Sequence, residues 1–391
     1  ITEYSTGNTM SNSQKKLSPE PDLRVASLVL KEGFKALATH PPTRPEQLTT
    51  PQLKALSTSA RSDYNLRRRA YHANYGPIKT PMLINANETI DMVYECGVDK
   101  RGDKVRDSVI ISASPGLGKT TMVVDYAQRI FNAQRAELGD YLPSTDAEHI
   151  PVVYISIPSN PSPKAIDEAI CRFFGAPLSG NEATLLARAQ DHVLSCATVL
   201  VVVDEVQFID ATTPSGRRSI NHLKSLTNHL PATFIFVGTG LFDAKDPYNE
   251  ERSHNLVTQM SRRWTPIGFR GFGLKNEEQQ QQWHDTLLTV ERDLLLVHKH
   301  PGMLAVNLAE YLFARSSGHI NSLMSLIARG SRKAIATGQE CLTQDLLDTI
   351  AIDAEAERQR KGYLAEIESG AIGSKHLKSR ARGSKKATVA S

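Results

Sequence analysis

The sequence predicts an α/β fold in which a central parallel β-sheet is flanked by helices. Three observations predict it. The strand-like Val109-Ile110-Ile111 runs into Ala113-Ser114-Pro115-Gly116-Leu117-Gly118-Lys119-Thr120, and an amphipathic helical stretch follows. Val199-Leu200-Val201-Val202-Val203 has the length and β-branched richness of a strand buried on both faces, and Asp204-Glu205 ends it. A third apolar run, Thr233-Phe234-Ile235-Phe236-Val237, ends in Gly238-Thr239-Gly240.

The first of these reads as a phosphate-binding loop. Glycines at 116 and 118 let backbone N–H groups turn inward around phosphate oxygens, Lys119 offers a mobile cation, and the Thr120 hydroxyl suits Mg²⁺. Pro115, Gly116, Leu117, Gly118, Lys119, Thr120 and Thr121 are therefore expected to hold a nucleoside triphosphate, ATP. The usual motif opens with glycine. Ala113 stands in that place, which costs backbone freedom without forbidding the loop.

At the second strand end, Asp204 is placed to hold Mg²⁺ through its water shell and Glu205 to orient and deprotonate an attacking water. A buried strand with solvated acids at its tip is the plainer alternative. Thr239 follows the third strand and is the candidate sensor of that water, or else a cap or turn threonine. Leu256 to Met260 then leads to Ser261-Arg262-Arg263-Trp264 and the strand-like Thr265-Pro266-Ile267-Gly268-Phe269. Arg262 or Arg263 is a candidate arginine finger for a neighbouring subunit, or a partner for a helix C-terminus.

In this order, the P-loop, Asp-Glu strand end, polar strand tip, arginine pair and trailing helical segment resemble an AAA+ ATPase. Val203 to Phe208, Asn221 to Leu230 and Phe236 to Thr239 further resemble the TniB/TnsC group of transposition ATPases, with their "L-x-N-x-L" helix and "VGT" strand end. Ile157 to Pro163 and its following helix agree with that group, as does the approach from Tyr71-His72 through Ile78 to Pro81. The resemblance spans about residues 60 to 350. It implies an AAA+ P-loop core at 60–272, a small helical lid at 273–352, an N-terminal partly ordered arm at 1–59, and a short helix with a basic tail at 353–391. It also implies Mg²⁺-dependent ATP hydrolysis, assembly into a ring or helical filament on double-stranded DNA, and a transposase and a target-selection protein as partners. Many such lids carry an arginine after Ser-Gly; here Ser317-Gly318 leads to His319, Ile320 and Asn321, with Asn321 near that place.

Composition bounds the reading. At 391 residues the chain can bury one substantial core plus a helical lid. Cys96, Cys171, Cys196 and Cys341 lack paired metal-site spacing and are expected as reduced, buried thiols. No run approaches a membrane span and no signal pattern opens the chain, so a cytoplasmic, nucleoid-associated protein without membrane contact is expected. Met10 is a candidate start ahead of Ser/Pro/Thr-rich segments that surround a helical pattern at Val25–Ala38.

Net charge is only +4, so local charge carries more meaning. After Glu368, six Lys and Arg residues from Lys375 to Lys386 make a cationic tail suited to nucleic acid or an acidic partner, or simply to solubility. Arg67-Arg68-Arg69, in a helical stretch, suits phosphates or acids on a neighbouring subunit. Lys164 and Arg217-Arg218 are the body's candidate duplex contacts, although ordinary solvated loops look the same. Two competing functions are a helicase- or initiator-loading ATPase and a nucleotide-controlled signalling scaffold that binds no DNA.

Overall fold

β-branched and aromatic runs pair into a parallel sheet of five strands among the described residues: β1 (Ser108–Ala113), β2 (Val152–Ser156), β3 (Leu200–Asp204), β4 (Thr233–Gly238) and β5 (Trp264–Phe269). The computed structural model describes residues 27–101, 104–242 and 263–373. Strand order is β2-β3-β4-β1-β5. Ile110, Val202 and Ile235 are fully buried, each worth roughly 1.5–3 kcal/mol of apolar transfer. Among the described residues β5 is an edge strand paired with β1 alone, so Pro266 is tolerated there.

Register aligns the carboxyl ends of the strands. Val237 pairs with Ile111 and Val203 with Ile155. The tips of β1, β3 and β4 therefore open on one edge, beside the place where strand order reverses around β1, which is where open parallel sheets bind ligands.

Helices cover both faces. α1 (Lys31–Thr39), α2 (Thr50–Ala55), α3 (Thr58–Ala73) and α4 (Pro81–Val98) precede the sheet, and α5 (Lys119–Leu138) follows β1. Within the stretch expected as a partly ordered arm, α1 packs on α5 and sends Phe34 into the core, with ring centroids 5.7 Å from Phe131 and 6.4 Å from Phe173. α6 (Pro163–Phe174) and α7 (Glu182–Ser195) follow β2, and α8 (Pro214–His229) follows β3 after a 3-10 turn at Val206–Phe208. α6 and α8 both begin with proline behind a hydroxyl cap, Ser162 and Thr213, an entry geometry that fixes where their first turns sit.

A second apolar core lies beyond β5. It is built by α9 (Glu277–Asp293), a π-helical turn at Met303–Asn307, α10 (Ala309–Ser316), α11 (Ile320–Thr337) and α12 (Gln344–Asp348) around the fully buried Trp283. α13 (Ala354–Glu368) packs along α10, where Tyr363 meets Phe313 edge-on at 5.4 Å and Glu357 receives a 2.8 Å hydrogen bond from Arg315. From the other end of the chain, α3 packs on α11. No described helix is long and apolar enough to cross a membrane.

Two expectations are corrected by burial. Cys171 and Cys196 are buried, but Cys96 is exposed on α4 and Cys341 is half-buried, so the four cysteines are not uniformly interior. Arg68, expected among phosphate-facing cations, is wholly buried and makes a bidentate ion pair with buried Glu340 at 2.6 and 2.5 Å. Successive helical residues point about 100° apart, so three adjacent arginines cannot share a face. Arg67 is exposed, and Arg69 is half-buried with its Nε on the Asn65 carbonyl.

Candidate functional site: a phosphate loop facing two carboxylates

The loop from Ser114 to Gly118 joins the tip of β1 to the first turn of α5. Gly116 and Gly118 take φ of +77° and +82°, the left-handed region that glycine enters without a Cβ penalty. Gly118 is the N-cap of α5, so the helix's unpaired N–H groups and its positive dipole end face the loop. Ala113 needs no glycine: it stays in strand β1, paired with Phe269, and the departure from the usual motif falls before the turn.

Side chains from three strand tips converge here. Lys119 Nζ donates to Thr239 Oγ1 at 2.8 Å and to the Ala113 carbonyl at 3.3 Å. Burial pulls the Lys119 ammonium below the ordinary lysine range, opposed by the nearby Glu205 and Asp204 carboxylates. An anion beside it would favour the charged form, which suits a phosphate ligand. Thr120 Oγ1 donates to Asp204 Oδ2 at 3.1 Å, so the hydroxyl of an exposed threonine and a buried carboxylate, both hard oxygen donors, lie together. That donor set fits Mg²⁺.

Three contacts at this cluster were not read from the sequence. Tyr154 on β2 donates to Asp204 Oδ2 at 2.6 Å, while the Glu205 N–H donates to Asp204 Oδ1 at 2.8 Å. Burial, followed by the Asp204 charge, raises the Tyr154 phenol well above its ordinary value, so it remains a donor. Glu205 itself sits at φ +63°, a left-handed conformation uncommon for a residue with a Cβ. Gln207 connects the two neighbouring strand ends: its Nε2 donates to Glu205 Oε2, and its Oε1 accepts the Thr239 N–H at 3.1 Å.

Beside the loop, a cavity of about 460 Å³ runs between the sheet domain and the second core. Its walls include Tyr75, Pro77, Met82, Thr121, Ile320 and Asn321. The Asn321 N–H donates to the Gly116 carbonyl at 3.1 Å, and a Cβ at Gly118 would lie 3.3 Å from Ile320. The first turn of α11 thus docks directly on the phosphate loop. Pro115, Gly116, Leu117 and Gly118 form the turn, and Thr121 reaches the cavity.

The remaining candidates lie elsewhere. Arg262 and the cationic tail from Lys375 to Lys386 fall outside the described residues. Arg263 immediately precedes β5, its exposed side chain bonded to Asn228 Oδ1 at 3.0 Å. It stands at the amino-terminal end of β5, opposite the phosphate-loop end of the sheet, about 20 Å away along the strand. Lys164, at the start of α6, pairs with Glu168 at 3.7 Å, and Arg218 on α8 pairs with Glu182 at 3.5 Å. Arg217 donates to the Thr212 carbonyl at 2.7 Å.

Comparison with known proteins agrees with the geometry at the level of the fold. Residues 103–244 match the AAA domain family. Among solved structures, the chain is similar to the Orc1 protein of Aeropyrum pernix, solved in complex with DNA, at 16% identity and TM-score 0.52, over 75% of this chain and 69% of that one. It is also similar to Cdc6p from Pyrobaculum aerophilum at 14% identity and TM-score 0.44, over 75% and 82% of the two chains. No curated protein matches. The phosphate loop, the parallel strand order and the family match converge on one description: the chain carries an AAA domain on an AAA+ P-loop fold.

Proposed function

We propose that this chain is an ATP-hydrolysing, DNA-binding AAA+ regulator of DNA transposition that assembles on target duplex and communicates with a transposase and a target-selection protein. The observation that carries the ATPase part is the convergence of Lys119, Thr120, Asp204, Glu205 and Thr239 at one sheet edge, beside a cavity large enough for a nucleoside. The resemblance to TniB/TnsC sequences supports the transposition branch.

In this reading ATP sits between the phosphate loop and α11. Thr120 and Asp204 would hold Mg²⁺, which neutralises charge on the phosphate oxygens. Glu205 takes a proton from the attacking water at its carboxylate, and Thr239 orients that water. Arg263 is too far from its own loop to assist, which supports a role in a neighbouring copy; Arg262 is its companion candidate. Losing the γ-phosphate removes the anion that such an arginine requires, so hydrolysis loosens the assembly. Lys164, Arg217, Arg218, Arg67, Arg69 and the basic tail are the candidates for phosphate contacts along a duplex, in a cytoplasmic, nucleoid-associated setting.

A helicase- or initiator-loading role is the second reading, favoured by the fold-level likeness to an Orc1 protein solved with DNA. One experiment addresses both readings: binding of a sequence-neutral fluorescent duplex with a non-hydrolysable ATP analogue, with ADP and without nucleotide, while particle size is followed. Large assemblies that require both triphosphate and duplex support the regulator. Duplex binding without assembly moves the choice to the loader, and no binding in any state removes DNA from the function.

A further inference from the structure

Gln207 lies two residues beyond the candidate base, and its amide bridges the ends of β3 and β4. Its Nε2 reaches Glu205 Oε2 while its Oε1 receives the Thr239 backbone N–H at 3.1 Å. Thr239 Oγ1 in turn accepts from Lys119 Nζ at 2.8 Å. A continuous hydrogen-bonded chain thus runs from the phosphate-loop lysine through the tip of β4 to the carboxylate of Glu205.

Room for this bridge is made in the backbone. A Cβ on Gly238 would stand 2.7 Å from Gln207 Oε1, closer than real Cβ contacts come, and 3.0 Å from both Leu241 methyl groups, tighter than most of them. Gly238 has an ordinary strand conformation, so it is not needed for a special φ. The cleared space is what lets the glutamine amide lie against the strand end. The 3-10 turn at Val206–Phe208, anchored by buried Val206, holds Gln207 at that height.

We propose that Gln207 is a positioning residue: it fixes the Glu205 carboxylate through Oε2, leaves Oε1 for the attacking water, and ties that geometry to Thr239 and Lys119. The inference rests on the ATPase reading above. A carboxylate held by an N–H donor keeps one rotamer, the property a positioned general base needs. Without the amide donor, Glu205 samples other rotamers.

The isosteric Gln207→Glu variant tests this, because it keeps the volume but replaces the donor with a second carboxylate. Expected are a kcat lowered by about 10–100-fold, an ATP Kd within a few-fold of the parent, and an unchanged melting temperature within a few degrees. Gly238→Ala should lower kcat in the parent, because it pushes the glutamine aside, and add nothing further in a Gln207→Ala background. A parent-like kcat in Gln207→Glu overturns the positioning role while the ATPase reading stands. A parent protein that binds ATP without turning it over overturns both.

Discussion

At the scale of single residues, the chemistry depends on how few atoms separate charge from charge. Asp204 receives three donors, from Thr120, Tyr154 and the Glu205 backbone, and so is held as an oriented acceptor rather than a free acid. Glu205 has one side-chain donor and a left-handed backbone that turns it away from the strand. This difference in company fits the roles proposed for them, a metal-side carboxylate and a base. Glu205→Gln should therefore keep ATP affinity and duplex binding while kcat falls by about 10²–10⁴-fold, and assemblies on DNA should persist after ATP is supplied. Turnover near the parent value in a steady-state phosphate-release assay would take Glu205 out of the mechanism. Lys119→Ala should act on binding instead, since its ammonium is half-buried and destabilised until an anion arrives. Unchanged ATP affinity in a calorimetric titration would refute the phosphate-loop assignment.

At the scale of elements, the pair between Arg68 on α3 and Glu340, just beyond α11, staples α3 to the second core. Both side chains are out of water, and Arg68 also donates to the Leu295 carbonyl at 3.2 Å. Removing one partner strands the other charge, so Glu340→Ala should destabilise the fold by about 3–5 kcal/mol, whereas the paired apolar replacement Arg68→Met with Glu340→Leu should recover most of that loss. Denaturant titration of the two variants checks it, and equal midpoints would mean the charges were never interdependent. This staple also marks the limit of what sequence conveys. β1, β3 and β4 were legible because β-branched and aromatic runs have few other uses, and the phosphate loop because its glycines and lysine fall in a fixed order. Arg68 was not, since its partner lies 272 positions away and only the phase of α3 decides which of three arginines turns inward. Gln207 was missed for a related reason: its significance comes from the backbone of Thr239 on another strand.

At the scale of the whole molecule, α3 joins the cavity beside the phosphate loop to the second core, and its end carries a titratable group in the seam. His72 lines the cavity, is nearly buried, and accepts the Leu295 N–H at Nε2 over 2.9 Å. Burial, reinforced by the Arg68 and Lys299 cations, lowers its pKa from 6.5 to about 4. The unfolded chain then takes up this proton near pH 6.5 and the folded chain near pH 4, so between those values the unfolded state binds more protons and stability rises with pH. The contribution is complete above about pH 6.5 and lost as pH falls through the folded value, amounting to about 3 kcal/mol. A protonated ring would also lose its acceptor nitrogen and expose the Leu295 N–H as an unpaired buried donor. His72→Gln can keep an acceptor oxygen for that N–H but cannot titrate. Its unfolding free energy should therefore fall less steeply between pH 6.5 and 4 than that of the parent, whatever its value at neutral pH. Parallel stability curves for the two proteins across that window would mean that acid loosens the molecule at some other group and that the seam beside the cavity is indifferent to it.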